Sequence, residues 1–292
     1  MTIIVGLVIT LVCMLGGFAA MGGHIMVIFQ PWEFVIILGA SLGTFVATNT
    51  VKVIMDSGKG LLEVFTAKVP KKADYLSVLG CIFVLMREFR SKSRSEVEAH
   101  VENPDESPVF QAFPKLNKDK ELRTFICDYF RLIIMGNARP HEIEALMDEE
   151  IETASHDKLK AYSAISGVAE GLPAIGIVAA VLGVIKAMGS LDKPPEILGK
   201  MIGAALVGTF AGIFFSYCVF APLATQVKIV RQKNMRPYVV VKQTLLAFMN
   251  GAIPQVAIEH GRKTISFADR PTIDELEAQT MNGGDAGAKA AA

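Results

Sequence analysis

An excess of charge of either sign, paired cysteines and acidic groups inside apolar runs are all lacking in this 292-residue sequence. Its 29 Lys and Arg balance 29 Asp and Glu, so the basic surplus typical of a nucleic-acid binder is missing and no such partner is expected. Cys13, Cys81, Cys127 and Cys218 lie far apart with no paired spacing, which argues against a disulfide framework and a metal knuckle. No nucleophile-base-orienter set, phosphate loop or metal-ligand spacing is visible, so neither an enzyme nor a bound cofactor is expected. The N-terminus also lacks a basic lead and a small-residue cleavage site, and the apolar run that begins at Ile3 is expected to be retained as a span.

Hydrophobic residues are what the sequence has in quantity, 51% of the total against 20% charged. The runs Ile3 to Met21, Phe34 to Val51, Leu172 to Gly189 and Met201 to Leu223 are each about long enough to cross a hydrocarbon core as a helix, with Lys186 their one charge. The expected fold is all-α: a polytopic membrane protein with four transmembrane helices and a helical cytoplasmic domain. Residues 1–52 form spans one and two with a short periplasmic loop, 53–167 a cytoplasmic helical domain, 168–223 spans three and four with a second short loop, and 224–281 cytoplasmic C-terminal helices. The small, polar end from Asn282 to Ala292 is expected to be disordered.

Basic residues near the span ends set the orientation. Lys52, Lys59, Lys68, Lys71 and Lys72 follow span two, and Lys228, Arg231, Lys233 and Arg236 follow span four. The first hairpin has none, and the second offsets Lys193 and Lys200 with Asp192 and Glu196. The long segments and both termini are therefore expected in the cytoplasm of a multi-pass inner-membrane protein.

Helical periodicity marks Tyr75 to Phe89, Leu122 to Met135 and Ile143 to Leu159. Asn103-Pro104 and Ala112-Phe113-Pro114 mark a loop, and Gly136 to Pro140 a helix stop and new start. Beyond span four, Val227 to Met249 reads as a helix interrupted near Pro237, and Thr272-Ile273-Asp274-Glu275 as a capping box.

Helices in lipid approach closely where their residues are small. Gly176, Ala180, Gly183 and Ala187 share one face of span three; Ala204, Gly208 and Gly212 form a ridge on span four, with Ala205, Thr209 and Ser216 on a neighbouring face. Spacing favours packing between these two helices, and the alternative is a smooth wall for another chain's helix. With no Asp, Glu or His at mid-span, ion conduction requires a partner's carboxylate. Lys186 lies near the periplasmic edge, where it can snorkel to water. Pro173 and Pro222 sit at the cytoplasmic ends of spans three and four, either as helix termini or, for Pro173, as a kink in a helix that runs on from Asp157.

At Pro173-Ala174-Ile175-Gly176-Ile177-Val178-Ala179-Ala180, Val207-Gly208-Thr209-Phe210 and Pro222-Leu223-Ala224-Thr225 the sequence resembles the flagellar stator proteins of the MotA/TolQ/ExbB proton channel family. Glu102-Asn103-Pro104, Glu142 to Glu152 and Gly261-Arg262-Lys263-Thr264 extend the likeness over essentially everything before Asn282. The resemblance implies a homo-oligomer, a pentamer around two copies of MotB, whose aspartate binds the proton, and torque delivered to FliG of the rotor. It implies that Arg90 and Glu98 meet the rotor, that Pro173 and Pro222 couple conformational change, and that Ala180 and Thr209 line the ion path. Sodium-type relatives have threonine at the place of Ala180, so its methyl implies coupling to protons.

Spacing alone reads these charges differently: Ser95-Glu96-Val97-Glu98 fits a capping box, and Glu98 could pair with Arg94. The basic surroundings Arg87, Arg90, Lys92 and Arg94 suit an acidic partner surface. The acidic run Glu142 to Glu152 reads as a solvated or inter-subunit face rather than a metal site. Two other functions fit the sequence. One is a TolQ/ExbB-type energiser, against which the four spans argue; the other is a membrane scaffold with no ion flux.

Overall fold

A computed structural model describes residues 2–66 and 69–280. The tail expected to be disordered, Asn282 to Ala292, lies outside them. Among the described residues the chain is all helix and turn. Four helices among the described residues are long and apolar enough to span a membrane, which makes this a multi-pass membrane protein.

The described residues divide into two compact units, one within 1–68 and 157–231, the other within 69–156 and 232–292. The first holds α1 (Thr2–Ala20), α2 (Pro31–Thr48), α3 (Val51–Thr66) and α10 (Pro195–Phe214). Two longer helices, α9 (Pro140–Met188) and α11 (Ala221–Met249), contribute residues to both units. Span two begins at Pro31 and stops at Thr48, because Asn49 is extended and a separate helix restarts at Val51. Most of α1 is exposed, including Val5, Ile9 and Val12, as expected of a helix meant to face lipid or another apolar chain. Its N-terminal Ile3 packs with Val64, Ile165, Ala224 and Val227.

The second unit is built around an enclosed apolar core. It comprises α4 (Lys72–Ser91), α5 (Arg94–Glu102), α6 (Pro108–Gln111), α7 (Pro114–Lys118), α8 (Lys120–Met135), the first part of α9, the last part of α11, α12 (Pro254–Lys263) and α13 (residues 273–280). Leu79, Ile82, Leu85, Phe110, Phe125 and Ile126 are fully enclosed there. Expected boundaries recur: Gly136 ends α8 in the left-handed region at φ +75°, and Pro140 opens α9. The backbone N–H of Thr272 donates to Glu275 and that of Glu275 to the Thr272 hydroxyl, so the expected capping box forms. The loop marked by Asn103-Pro104 and Ala112-Phe113-Pro114 holds two short helices, α6 and α7, each opened by a proline.

Two expectations are corrected. The helix beyond span four is not interrupted near Pro237, which sits inside a continuous α11; buried Val240, Val241 and Leu245 beyond it anchor that helix in the core. The cap of α5 is Ser93 with Glu96, whose carboxylate accepts from the Ser93 N–H at 2.9 Å and hydroxyl at 2.6 Å, rather than Ser95 with Glu98. The chain is extended at Ser93, where an N-cap must be, whereas Ser95 is already helical.

Glu88 is a buried acid in this core. Burial pushes its carboxyl up, but the hydrogen bonds and charges of His100 and Lys92 outweigh that and hold it below its ordinary 4.5. A depressed carboxyl stabilises the fold above the unfolded value and loses that contribution as pH falls through the folded one. Thermal melts of the full chain in detergent are expected to fall as pH drops below about 4.5, and Glu88→Gln to flatten that fall while lowering the melt at neutral pH by removing about 1–3 kcal/mol.

Candidate functional site

Spans three and four meet backbone against backbone. A Cβ on Gly212 would stand 2.7 Å from the Leu172 carbonyl oxygen and 2.8 Å from Gly176 Cα, and one on Gly183 would stand 2.7 Å from Ala205 Cβ. Both are too close for any side chain, so these glycines are required by the approach. The small faces read from the sequence therefore pack on one another in this unit, with Gly176 and Gly183 of α9 on Ala205, Gly208 and Gly212 of α10. Ile37 of α2 closes the same cluster with Leu172, Ala179 and Ala211.

This register places the residues expected to line the ion path at one level. A Cβ on Gly208, the neighbour of Thr209, would stand 3.3 Å from the backbone nitrogen of Ala180. Both Ala180 and Thr209 are half-buried. Lys186 is exposed one turn beyond Gly183.

Both prolines lie inside helical paths. Pro173 is internal to α9, which runs without a stop from Pro140 to Met188. Pro222 lies two residues beyond a π-helical segment, Phe215–Phe220, that joins α10 to α11, so it marks no helix end. Without an N–H, Pro222 cannot continue an α-helical ladder, and the N–H of Ala221 reaches five residues back to the Ser216 carbonyl.

Arg90 and Glu98 are both exposed in the second unit. The guanidinium of Arg90 donates to the carbonyls of Gly251 and Ala252 at 3.4 and 3.3 Å, and lies 5.6 Å from the centre of the Phe248 ring. It therefore also braces the turn before α12. No hydrogen bond or ion pair holds Glu98 among the described residues, to Arg94 or to Arg90. Of the acidic run, Asp148 pairs with Lys242 at 2.6 Å and Glu150 accepts from the Tyr129 hydroxyl at 2.7 Å, while Ile143 and Met147 turn inward.

Sequence reasoning missed the clamp built on Arg231. This residue is 5% exposed; its guanidinium donates to Asp56 Oδ2 at 2.6 Å and Oδ1 at 2.9 Å, to Glu63 at 3.2 Å and to the Lys158 carbonyl at 2.6 Å. It thereby ties α3, α9 and α11 together. Counting Arg231 only as a basic residue beyond a span hid this role. The available signal was Asp56 and Glu63, which are two helical turns apart and share a face of α3.

Residues 4–93 match the family model for the N-terminal part of motility protein A, and residues 117–237 that of the MotA/TolQ/ExbB proton channel family. Four spans, a glycine-tight pair of inner helices and these matches define a subunit of that proton-channel class. The chain is 40% identical over 277 residues to motility protein A of Salmonella typhimurium and of Escherichia coli, covering 95% of this chain and 94% of each relative. It belongs to the motility protein A family, the membrane subunits of flagellar stators. Its fold is that of the C. jejuni MotAB structure, at a TM-score of 0.73 and 19% identity over 93% of this chain and 98% of that one.

Arg231→Ala is expected to release α3, leaving two carboxylates without their shared partner. Because Asp56 and Glu63 are partly solvated, the cost is about 2 kcal/mol rather than the larger figure for a fully buried pair. Limited proteolysis should cut between residues 51 and 66 several times faster than in the parent chain.

Proposed function

We propose that this chain is the ion-conducting membrane subunit of a proton-driven flagellar stator, a pentamer in the inner membrane around two copies of MotB, with both termini in the cytoplasm. The observation that carries the reading is the likeness to motility protein A, which runs at 40% identity through nearly the whole of both chains. The chemistry of the spans is consistent with it. Among the described residues no Asp, Glu or His lies at mid-span, so the titrating carboxylate comes from MotB. Thr209 offers a hydroxyl that can order water beside that carboxylate, and the methyl of Ala180 withholds a second oxygen from a sodium shell.

Proton binding neutralises the partner carboxylate, and neutralisation lowers its cost of moving across the apolar wall of the neighbouring subunit. Repeated around the ring, that exchange turns the ring past its partner. Pro173 and Pro222 convert the movement into a displacement of the cytoplasmic helices, and Arg90 and Glu98 pass it to FliG as opposed charges in brief contact. The exposed apolar faces of α1 and α2 meet lipid.

Swimming speed of a deletion strain complemented with this chain and a MotB protein is expected to follow the proton-motive force. It should collapse with a protonophore and stay unchanged when external sodium is replaced by potassium; dependence on sodium would overturn proton coupling. Charge reversal at Arg90 or Glu98 is expected to reduce rotation under load several-fold at unchanged membrane insertion, with partial recovery when the rotor charge is reversed in turn. Arg90 should show the smaller specific recovery, because its reversal also unsettles the turn at Gly251 and Ala252.

A further inference from the structure

A proline inside a helix leaves the carbonyl four residues earlier without its donor. For Pro173 that carbonyl belongs to Ala169, and it is buried. The hydroxyl of Ser216 donates to it at 2.6 Å. Ser216 is itself 2% exposed and lies in the π-helical segment ahead of Pro222, so the hydrogen bond joins that segment to the helix that carries Pro173. The glycine at 212, one turn before Ser216, brings α10 within reach of α9 at this depth.

We propose that Ser216 is the positioning residue through which the two prolines act as one device. Its hydroxyl has two acceptors available. In the arrangement seen it crosses to Ala169; in the other it turns back to the carbonyl of Gly212, four residues earlier on its own helix, as serine hydroxyls in helices do. The first arrangement locks the Pro173 segment to the π segment, and the second leaves the Ala169 carbonyl without its donor and lets the two helices bend independently. The exchange keeps one hydrogen bond for the hydroxyl but leaves the buried Ala169 carbonyl unanswered, so the crossed arrangement is the lower in energy and the other is reached only when the proton-driven movement supplies the difference. This inference rests on the stator reading for its rotary consequence, but the hydrogen-bond logic stands apart from it.

The test is a cycle of Ser216→Ala, Pro173→Ala and the double variant, each as the full chain co-expressed and purified with MotB. Alanine at 173 restores an N–H that reaches the Ala169 carbonyl, which makes the Ser216 hydroxyl redundant. Ser216→Ala alone is therefore expected to lower the melting temperature of the complex by a few degrees, and to have no further effect in the Pro173→Ala background. Should Ser216→Ala alone fail to assemble, recovery of assembly in the double variant supports the link and continued failure overturns it. Additive shifts, or a melt of Ser216→Ala equal to that of the parent, overturn the proposal as well.

Rotation separates positioning from mere stability. At matched amounts of assembled complex, Ser216→Ala is expected to slow tethered-cell rotation several-fold; rotation per complex equal to the parent would show a structural bond only and overturn the coupling role. Absence of rotation by the parent chain itself, with the melting cycle behaving as described, would count against the stator reading and leave the Ser216 link standing.

Discussion

In hydrocarbon no water is available to accept or donate, so every backbone carbonyl of a span needs a donor from the protein itself. That constraint shapes the inner pair of helices here. A proline at 173 removes one donor, and the facing helix supplies a hydroxyl in its place. For the hydroxyl to reach, the helices must lie backbone to backbone, and they do so because glycine stands at 176, 183 and 212, where a Cβ would come within 3.0 Å of the facing helix. The small-residue ridge, the proline and the π segment thus form one solution to a single problem of hydrogen-bond supply.

A second constraint operates at the edge of the same unit. A guanidinium as enclosed as Arg231 persists only when its donors are answered, and two carboxylates and a carbonyl answer them. They come from α3, α9 and α11, so a single side chain sets where the segment after span two lies against the continuations of spans three and four. The other unit has no such economy. It is held by a conventional apolar core built from α4, α8 and α12 with the parts of α9 and α11 that belong to it, in which Glu88 is tolerated because His100 and Lys92 surround it.

Sequence pattern located most of the elements and was weakest where one helix continues as another. Helix stops made by local chemistry were legible: Gly136 in the left-handed region, Pro140 at a first turn, Thr272 and Glu275 in a capping box. Pro237 misled, because the penalty of an internal proline is local whereas the apolar residues that hold the helix together lie beyond it in the core. The capping serine of α5 was misplaced by two residues, since 93 and 95 both offer serine before a glutamate three positions on and only the backbone angle at Ser93 distinguishes them.

What the sequence determined by itself was whatever depends on composition and short spacing: an all-α membrane protein, its four spans, the small faces of spans three and four, and the family motifs at Pro173, Gly208 and Pro222. The tertiary structure decided which carbonyl meets which hydroxyl and which acids share Arg231. Ser216 and Ala169 are 47 residues apart, Arg231 and Asp56 175 apart. Such pairs are set by the axial register of two packed helices, and no local preference along either helix encodes that register.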